Sequence, residues 1–329
     1  MDKVDMIPKG GFISEMKQGD NVKAVFMVSE KKLLTTRNGR PFARLQLIDK
    51  TGEIPAMIWD DVKQKISGIE LGSVVGVRGN VESYENRLQI RLNTVRSLDK
   101  DRVDISTLLP TTQRNISEMI KELDQVISHI RDKHLLRLVG NIFGRQELKK
   151  AFMNAPAAKT IHHNYVGGLL EHTLQVARSV ISLFPIYSYM GMSQDLLLAG
   201  AILHDIGKIY EYSYDRVIDM TPFGRLVGHV YLSAYMVDKE ISGLDDFPEE
   251  LRIQLIHLIL SHHGQLEFGS PKLPMTKEAM FLHMLDDLDA KLTGFDSIIE
   301  ATPDDELFSS FSQIYNRYLY TRMYSEEEE

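Results

Sequence analysis

Residues 21–59 read NVKAVFMVSEKKLLTTRNGRPFARLQLIDKTGEIPAMIW, and their two-residue period decides the fold of the front of the chain. Val22, Ala24, Phe26 and Val28 alternate with polar residues, as do Ala43, Leu45 and Leu47. Each run therefore presents one apolar and one polar face, as a strand does. Asn38-Gly39 marks a tight turn between the runs, and Lys50-Thr51-Gly52 marks another before a strand at Ile54–Trp59. Working outward, Leu71-Gly72 precedes a strand over 74–81, and Glu85-Asn86 precedes one over 88–95. A stretch with helical potential, 61–69, interrupts the series.

Five short strands with one intervening helix predict a small closed barrel, for which the OB-fold is the leading candidate. Beyond it the period becomes helical. Ile116, Met119, Ile120, Leu123, Val126, Ile127 and Ile130 predict a helix over 115–139, capped by Asn115 or Ser117. Further helices are expected at 146–153, 168–184, 194–206, 224–242, 249–262, 276–299 and 305–322, with a short hairpin between Lys208 and Phe223. The expected class is multidomain α+β. An OB-fold nucleic-acid-binding domain occupies 1–105, and a linker at Asp104–Pro110 opens a helical connector over 106–160. An all-α domain follows at 161–300, then a C-terminal helix and acidic tail at 301–329, the tail frayed and solvated.

The chain has 329 residues, 43% hydrophobic and 26% charged, the composition of a globular protein. No apolar run approaches the roughly 18 residues needed to cross a bilayer, so no membrane partner is expected. Residues 1–20 lack the basic flank and apolar stretch of a secretory signal. The absence of cysteine excludes disulfides, a Cys nucleophile and thiolate metal sites. A cytoplasmic protein fits these features. The net charge of −8 is unevenly spread: residues 1–100 hold 17 basic and 13 acidic residues, leaving 21 and 33 for the remainder. A basic front suits a polyanion, and in such a barrel single-stranded nucleic acid is the leading ligand. Lys31, Lys32, Arg37, Arg40 and Arg44 surround the first turn, Arg87 and Arg91 come later, and Phe42, Trp59 and Tyr84 could stack on bases. Each alone is more often core or surface filler. The grouping of Arg37, Arg40, Phe42 and Arg44 on one hairpin carries the reading.

The helical part holds, in order, Glu171-His172, His204-Asp205 running into Ile206-Gly207-Lys208, Gly228-His229, His262-His263, and Asp286-Asp287-Leu288-Asp289. Imidazole and carboxylate ligands suit Mn, Fe, Co, Ni and Zn. Asp205, beside a candidate ligand, is best placed to bridge two ions. A lone His-Asp dipeptide is weak, and a lone helical His is usually a packed core residue. Five of the 11 histidines belong to the pattern and six do not, so abundance carries no weight. Order, spacing and the adjacent carboxylates do.

That order, H…HD…H…HH…D over roughly 160–300, resembles the HD-domain metal-dependent phosphohydrolases. Position by position, the resemblance implies His172, His204, Asp205 and Asp286 on one metal, and Asp205, His229 and His262 on a second. Asp286 is preferred to Asp287 because it lies three residues before Asp289-Ala290, where the family often has D-x-x-D-A. His263 could be a ligand, a phosphate contact or a supporting donor. Glu171 could orient a ligand from behind or be an exposed helix residue. Two ions about 3.5–4 Å apart lower the pKa of a bridging water and clamp phosphoryl oxygens. Asp205 and Lys208 are the catalytic candidates, Lys208 as a fixed cation near the phosphate or, in the plainer reading, as a solvated lysine.

An N-terminal barrel joined to a domain containing Tyr165-Val166-Gly167-Gly168-Leu169-Leu170-Glu171-His172-Thr173 resembles, over nearly the whole chain, the YhaM-type 3′–5′ exoribonucleases of Gram-positive bacteria. The resemblance implies release of nucleoside 5′-monophosphates from the 3′ end of single-stranded RNA, with single-stranded DNA a further substrate and Mn²⁺ the expected activator. Composition and spacing alone give a phosphoesterase with a nucleic-acid module. Two other readings stay open: a phosphohydrolase acting on a free nucleotide, whose activity would survive deletion of 1–105, and a non-enzymatic single-strand DNA-binding protein with a structural metal site. The apolar helices at 116–139 and 305–322 could pack internally or between subunits, which leaves a homo-oligomer open.

Overall fold

The computed structural model describes residues 6–36, 38–84, 87–104, 107–159, 163–214, 218–303 and 305–322. These fall into two compact units, one running to Gln113 together with Ser213–Asp219, the other comprising Arg114–Tyr212 and the residues from Met220 onward.

The first unit is the barrel the alternation predicts. Strands β1 (Asn21–Thr35), β2 (Pro41–Asp49), β3 (Gly52–Ile58), β4 (Val74–Tyr84) and β5 (Arg87–Ser97) close in the order β1-β2-β3-β5-β4, with a short helix α1 (Val62–Lys65) after β3. Strand β1 is long enough to serve two neighbours. Its first half pairs antiparallel with β4, from Asn21↔Asn80 to Met27↔Val74, and its second half with β2, from Met27↔Ile48 to Thr35↔Pro41. A register shift between Val28 and Glu30 bends the strand from one partner to the other. The parallel pairs Ala56↔Ile90 and Met57↔Arg91 join β3 to β5 and close the sheet. Phe26, Leu45, Leu47, Ile58 and Ile90 are fully buried inside. The segment expected as a linker is packed instead: Leu108 and Leu109 are buried, and the Thr107 carbonyl accepts from the Lys50 amide at 3.2 Å. The unit accordingly extends past residue 105.

The second unit contains α2 (Ile116–Ser128), α3 (Lys133–Gly144), α4 (Gln146–Asn154), α5 (Gly168–Tyr187), α6 (Gln194–Leu203) and α7 (Lys208–Glu211). After the short hairpin β6 (Tyr212–Ser213) and β7 (Asp219–Met220) come α8 (Pro222–Val227), α9 (His229–Ile241), α10 (Glu249–Ser261) and α11 (Lys277–Glu300). Helix α6 is buried on all sides from Leu196 to Leu203, and a helix apolar all round belongs in the middle of its fold. It packs against α3, α5, α10 and α11. The residues that follow it, His204 and Asp205, are thereby delivered to the interior.

Three expected helices are corrected. The one predicted over 115–139 is two, because Asp132 caps α3 by accepting from the amides of His134 and Leu135 at 2.9 and 3.0 Å. Asp195 takes up the amides of Arg131 and Asp132 at 3.1 and 2.7 Å. A cap of this kind contributes about 1 kcal/mol, and together the two carboxylates override an apolar spacing that runs through the break. The helix predicted over 224–242 is interrupted at Gly228, whose φ of 77° is a conformation that glycine adopts without a steric penalty. The C-terminal helix predicted over 305–322 does not form. Helix α11 ends at Glu300, shortly before Pro303, and the chain then makes an irregular hairpin with bridges Phe308↔Tyr320 and Ser312↔Arg317. Phe308, Phe311, Tyr315 and Tyr318 do sit at helical spacing. Their rings nevertheless pair across the hairpin, Phe308 with Tyr320 at 5.4 Å and Phe311 with Tyr318 at 5.3 Å. The acidic tail lies outside the described residues.

Candidate metal centre and nucleic-acid face

Helix ends supply most of the centre. His172 comes from the second turn of α5, His204 and Asp205 from the turn after α6, His229 from the first residue of α9, His262 and His263 from just beyond α10, and Asp286 from within α11. The turn after α6 can lie against α9 because position 207 is glycine: a Cβ there would stand 2.5 Å from the His229 carbonyl oxygen and 2.6 Å from the Ser233 amide.

Each histidine uses its two nitrogens differently. Every Nδ1 donates away from the cluster: His172 to Asp289 at 2.6 Å, His204 to the Ala201 carbonyl at 2.9 Å, and His229 to Glu211 at 2.8 Å. His262 donates to the Ile259 carbonyl at 2.7 Å and His263 to the Phe268 carbonyl at 2.8 Å. These acceptors hold a proton on Nδ1 and turn Nε2 inward, where it carries a lone pair whenever the ring is neutral. The Nε2 atoms converge, those of His172 and His204 standing 3.2 Å apart and those of His229 and His263 3.3 Å apart. Lone pairs this close repel unless something positive is shared between them.

Asp205 divides its two oxygens. Oδ2 lies 3.4 Å from the Nε2 of both His172 and His204, while Oδ1 lies 3.3 Å from His229 and 3.5 Å from His262. Asp286 Oδ1 joins the first group, 3.2 Å from His172 and 3.5 Å from His204. Asp205 Oδ1 and His262 Nε2 are buried with no hydrogen-bond partner. A buried group left unsatisfied costs about 1–3 kcal/mol or more, which a cation would offset. The donor set of imidazole nitrogens and carboxylate oxygens suits borderline and hard divalent ions, so the residues present fit a divalent metal site.

The charges follow the same division. Burial disfavours the charged form of His172 and His204, but Asp205 and Asp286 outweigh it and hold His172 well above the ordinary imidazole value and His204 at about 9. On the other side burial prevails: it lowers His229 and His262, and with the neighbouring His262 takes His263 to about 4. Burial would raise Asp205, yet Lys208 and His204 keep it well below the carboxylate range.

The geometry sorts the remaining candidates. Lys208 is buried, 2.5 Å from Asp205 Oδ2, and not a solvated lysine. Asp287 faces away, paired with Lys291 at 2.6 Å, so Asp286 alone of the two meets the cluster. Glu171 is buried and accepts from the Tyr165 hydroxyl at 3.0 Å, which removes the exposed-helix reading. Tyr165 in turn lies 2.6 Å from His163 Nδ1, and His163 Nε2 lies 3.2 Å from the same Asp289 oxygen that holds His172. Sequence reasoning missed His163, Tyr165 and Glu211 as supports. In the sequence Asp289 serves only as a marker for Asp286, although the D-x-x-D spacing puts both on one face of α11.

On the barrel, inward-facing Ala43, Leu45 and Leu47 leave Phe42 and Arg44 facing out. Cross-strand register sets Lys32, Arg44, Met57 and Arg91 in one row over β1, β2, β3 and β5. Phe42 stacks on Trp59 with ring centroids 4.8 Å apart, and Trp59 remains 40% exposed. Tyr84 and Arg87, both exposed, face each other near the tip of the β4–β5 hairpin. Arg40 is exposed beside the β1–β2 turn. Lys31 does not belong to this face, since its ammonium donates to the Ile69 carbonyl. Arg37 lies outside the described residues.

A helical unit gathering histidines and aspartates around a cation site, in a chain that begins with a closed five-stranded barrel, defines a metal-dependent HD-domain hydrolase with an OB-fold module. Family models described as the HD domain and as an OB-fold nucleic acid binding domain match residues 169–291 and 22–98. The chain belongs to the YhaM 3′–5′ exoribonuclease family. It is 32% identical over 311 residues to the 3′-5′ exoribonuclease YhaM of Geobacillus sp. strain WCH70, covering 93% of this chain and 94% of that one. It is 34% identical over 316 residues to the protein of that name from Bacillus subtilis strain 168, covering 95% and 98%.

Proposed function

We propose that this chain is a 3′–5′ exoribonuclease that releases nucleoside 5′-monophosphates from single-stranded RNA, with single-stranded DNA as a second substrate, using two divalent cations for which Mn²⁺ is the expected occupant. The observation that carries the reading is the division of Asp205, one oxygen toward His172 and His204, the other toward His229 and His262. His172, His204, Asp205 and Asp286 would hold one cation, and Asp205, His229 and His262 the other, with His263 beside them. Bound cations would supply Lewis acidity, lowering the pKa of a water and offsetting charge on the phosphoryl oxygens.

The chain's own residues do the rest. Lys208 holds the Asp205 carboxylate ionised and adds a fixed positive charge where anionic charge develops. Asp289 and Glu211 keep His172 and His229 in the tautomer that aims Nε2 inward. On the barrel, Lys32, Arg40, Arg44, Arg87 and Arg91 would meet phosphates, while Phe42, Trp59 and Tyr84 offer stacking surfaces. Among the described residues no helix is long and apolar enough to cross a membrane, and a cellular RNA substrate supports a cytoplasmic location.

The test uses 5′-labelled single-stranded RNA and DNA with the Mn²⁺-loaded protein and its Asp205→Ala variant. A ladder shortening from the 3′ end, lost in the variant, supports the reading. No cleavage of any strand by folded, metal-loaded protein overturns it.

A further inference from the structure

Beside the basic row of the barrel lies a polar cavity of about 330 Å³, bounded by Trp59, Asp60, Lys65, Glu82, Arg91 and Asn93 among others. Its size falls at the low end of volumes that hold small ligands, roughly 300–1,000 Å³. We propose that it is a base-reading pocket that selects guanine within a single strand held on the barrel. The inference rests on the proposed single-strand substrate and adds a sequence preference to it.

Trp59 provides the platform. Phe42 stacks on the indole, but only Trp59 of the two borders the cavity, so the tryptophan is held in place by one ring while it lines the pocket. Base–aromatic stacking is itself indifferent to sequence. Discrimination therefore has to come from the walls.

The walls are unusual for a phosphate-binding surface, because they include two carboxylates, Asp60 and Glu82. A carboxylate accepts hydrogen bonds and donates none. Guanine is the one RNA base with two adjacent donors on its pairing edge, N1–H and the N2 amino group, and a single carboxylate can accept from both. Adenine and cytosine set a ring-nitrogen lone pair beside their amino group, which would face the carboxylate and be repelled. Uracil flanks its one N–H with two carbonyls, with the same result.

The surrounding residues suit this role. Arg91 Nη1 lies 3.8 Å from Glu82 Oε1, offsetting its charge and orienting it. Asn93 donates to Asn80 Oδ1 at 3.4 Å and Asn80 donates to Asn21 Oδ1 at 2.8 Å, an amide ladder that commits one of the two Asn93 N–H groups and holds the side chain at the cavity wall. Lys65, also on the wall, can donate to guanine O6.

The probe is a short oligouridylate with cleavage-resistant phosphorothioate linkages, compared with the same strand carrying one guanosine or one inosine, which lacks the N2 amino group. Binding to the full-length, metal-loaded protein is measured by fluorescence anisotropy. The guanosine strand is expected to bind about tenfold more tightly than oligouridylate, within the range of one bidentate contact, and inosine to forfeit most of that gain. Glu82→Gln should erase the difference between the guanosine and uridine strands. Equal binding of the three strands by the unmodified protein, or a guanosine preference that survives Glu82→Gln, overturns the pocket while the single-strand reading stands. No binding of any strand overturns both.

Discussion

Asp289 holds His172 from behind: its Oδ2 accepts the Nδ1–H bond at 2.6 Å and is itself 3.2 Å from His163 Nε2. Burial would raise this carboxyl, but His163 and His172 bring it down to about 2, so it is ionised at neutral pH. Asp289→Asn should weaken metal affinity about 10–100-fold, the usual effect of losing such a support. Competition against a chelator measures it, and an unchanged affinity would show that His172 needs no orienting partner.

Asp286 and Asp287 are adjacent in sequence and face opposite ways. Asp286→Asn removes a carboxylate from among His172, His204 and Asp205, and metal content should fall, with kcat down at least about 100-fold, given the several kcal/mol that a catalytic metal contributes. Asp287→Asn breaks only an exposed pair with Lys291, worth about 0–1 kcal/mol. Metal content, by elemental analysis, should be that of the wild type.

Metal affinity should rise with pH. Burial disfavours charge on His204, but Asp205 and Asp286 raise it from 6.5 to about 9 without a cation. Protonated His204 thus stabilises the metal-free fold fully below about pH 6.5, and that contribution disappears as pH climbs through about 9. A cation must displace this proton, so its affinity should increase across the same window. Calorimetry in buffers of different ionisation enthalpy should detect proton release at neutral pH, and a pH-independent affinity would contradict the division of charge in the centre.

Gly207→Ala should damage the centre without touching a ligand. The added Cβ would meet backbone atoms at 2.5 and 2.6 Å and Leu232 Cβ at 2.8 Å, so α9 and the turn after α6 must separate. Overpacking of this kind costs about 1–3 kcal/mol, a fall in Tm of several degrees. Differential scanning calorimetry would show it, together with reduced metal content.

Arg44→Ala and Arg91→Ala should weaken binding of every strand and flatten its salt dependence. Removing one cation from the phosphates lowers the slope of log K against log salt by about 0.7 for a single strand. A slope that stays constant in both variants would remove the row from the strand's path.

Much of this was legible in the sequence, for identifiable reasons. A two-residue period leaves few alternatives to a strand, and the barrel appeared where Val22 to Leu47 put it. The cluster of His172, His204, Asp205, His229 and His262 was readable because imidazole and carboxylate side chains suit a divalent cation and their order along the chain resembles the HD-domain phosphohydrolases. Periodicity failed where it competed with local chemistry. Asp132 split a helix whose apolar stripe was continuous, and the aromatics from Phe308 to Tyr320 carried a helical spacing into a hairpin. The supports were hardest to see: Glu211 and His163 act through hydrogen bonds to their neighbours, and a hydrogen bond to the back of an imidazole leaves no periodic trace.

Helix α11 contributes the candidate ligand that leaves the ribosome last. By the time Asp286 is synthesised, all five strands of the barrel and every other ligand have already been made. A chain cut short before α11 could complete the barrel but would lack one wall of the centre. During biosynthesis, then, the barrel can be complete before the centre is.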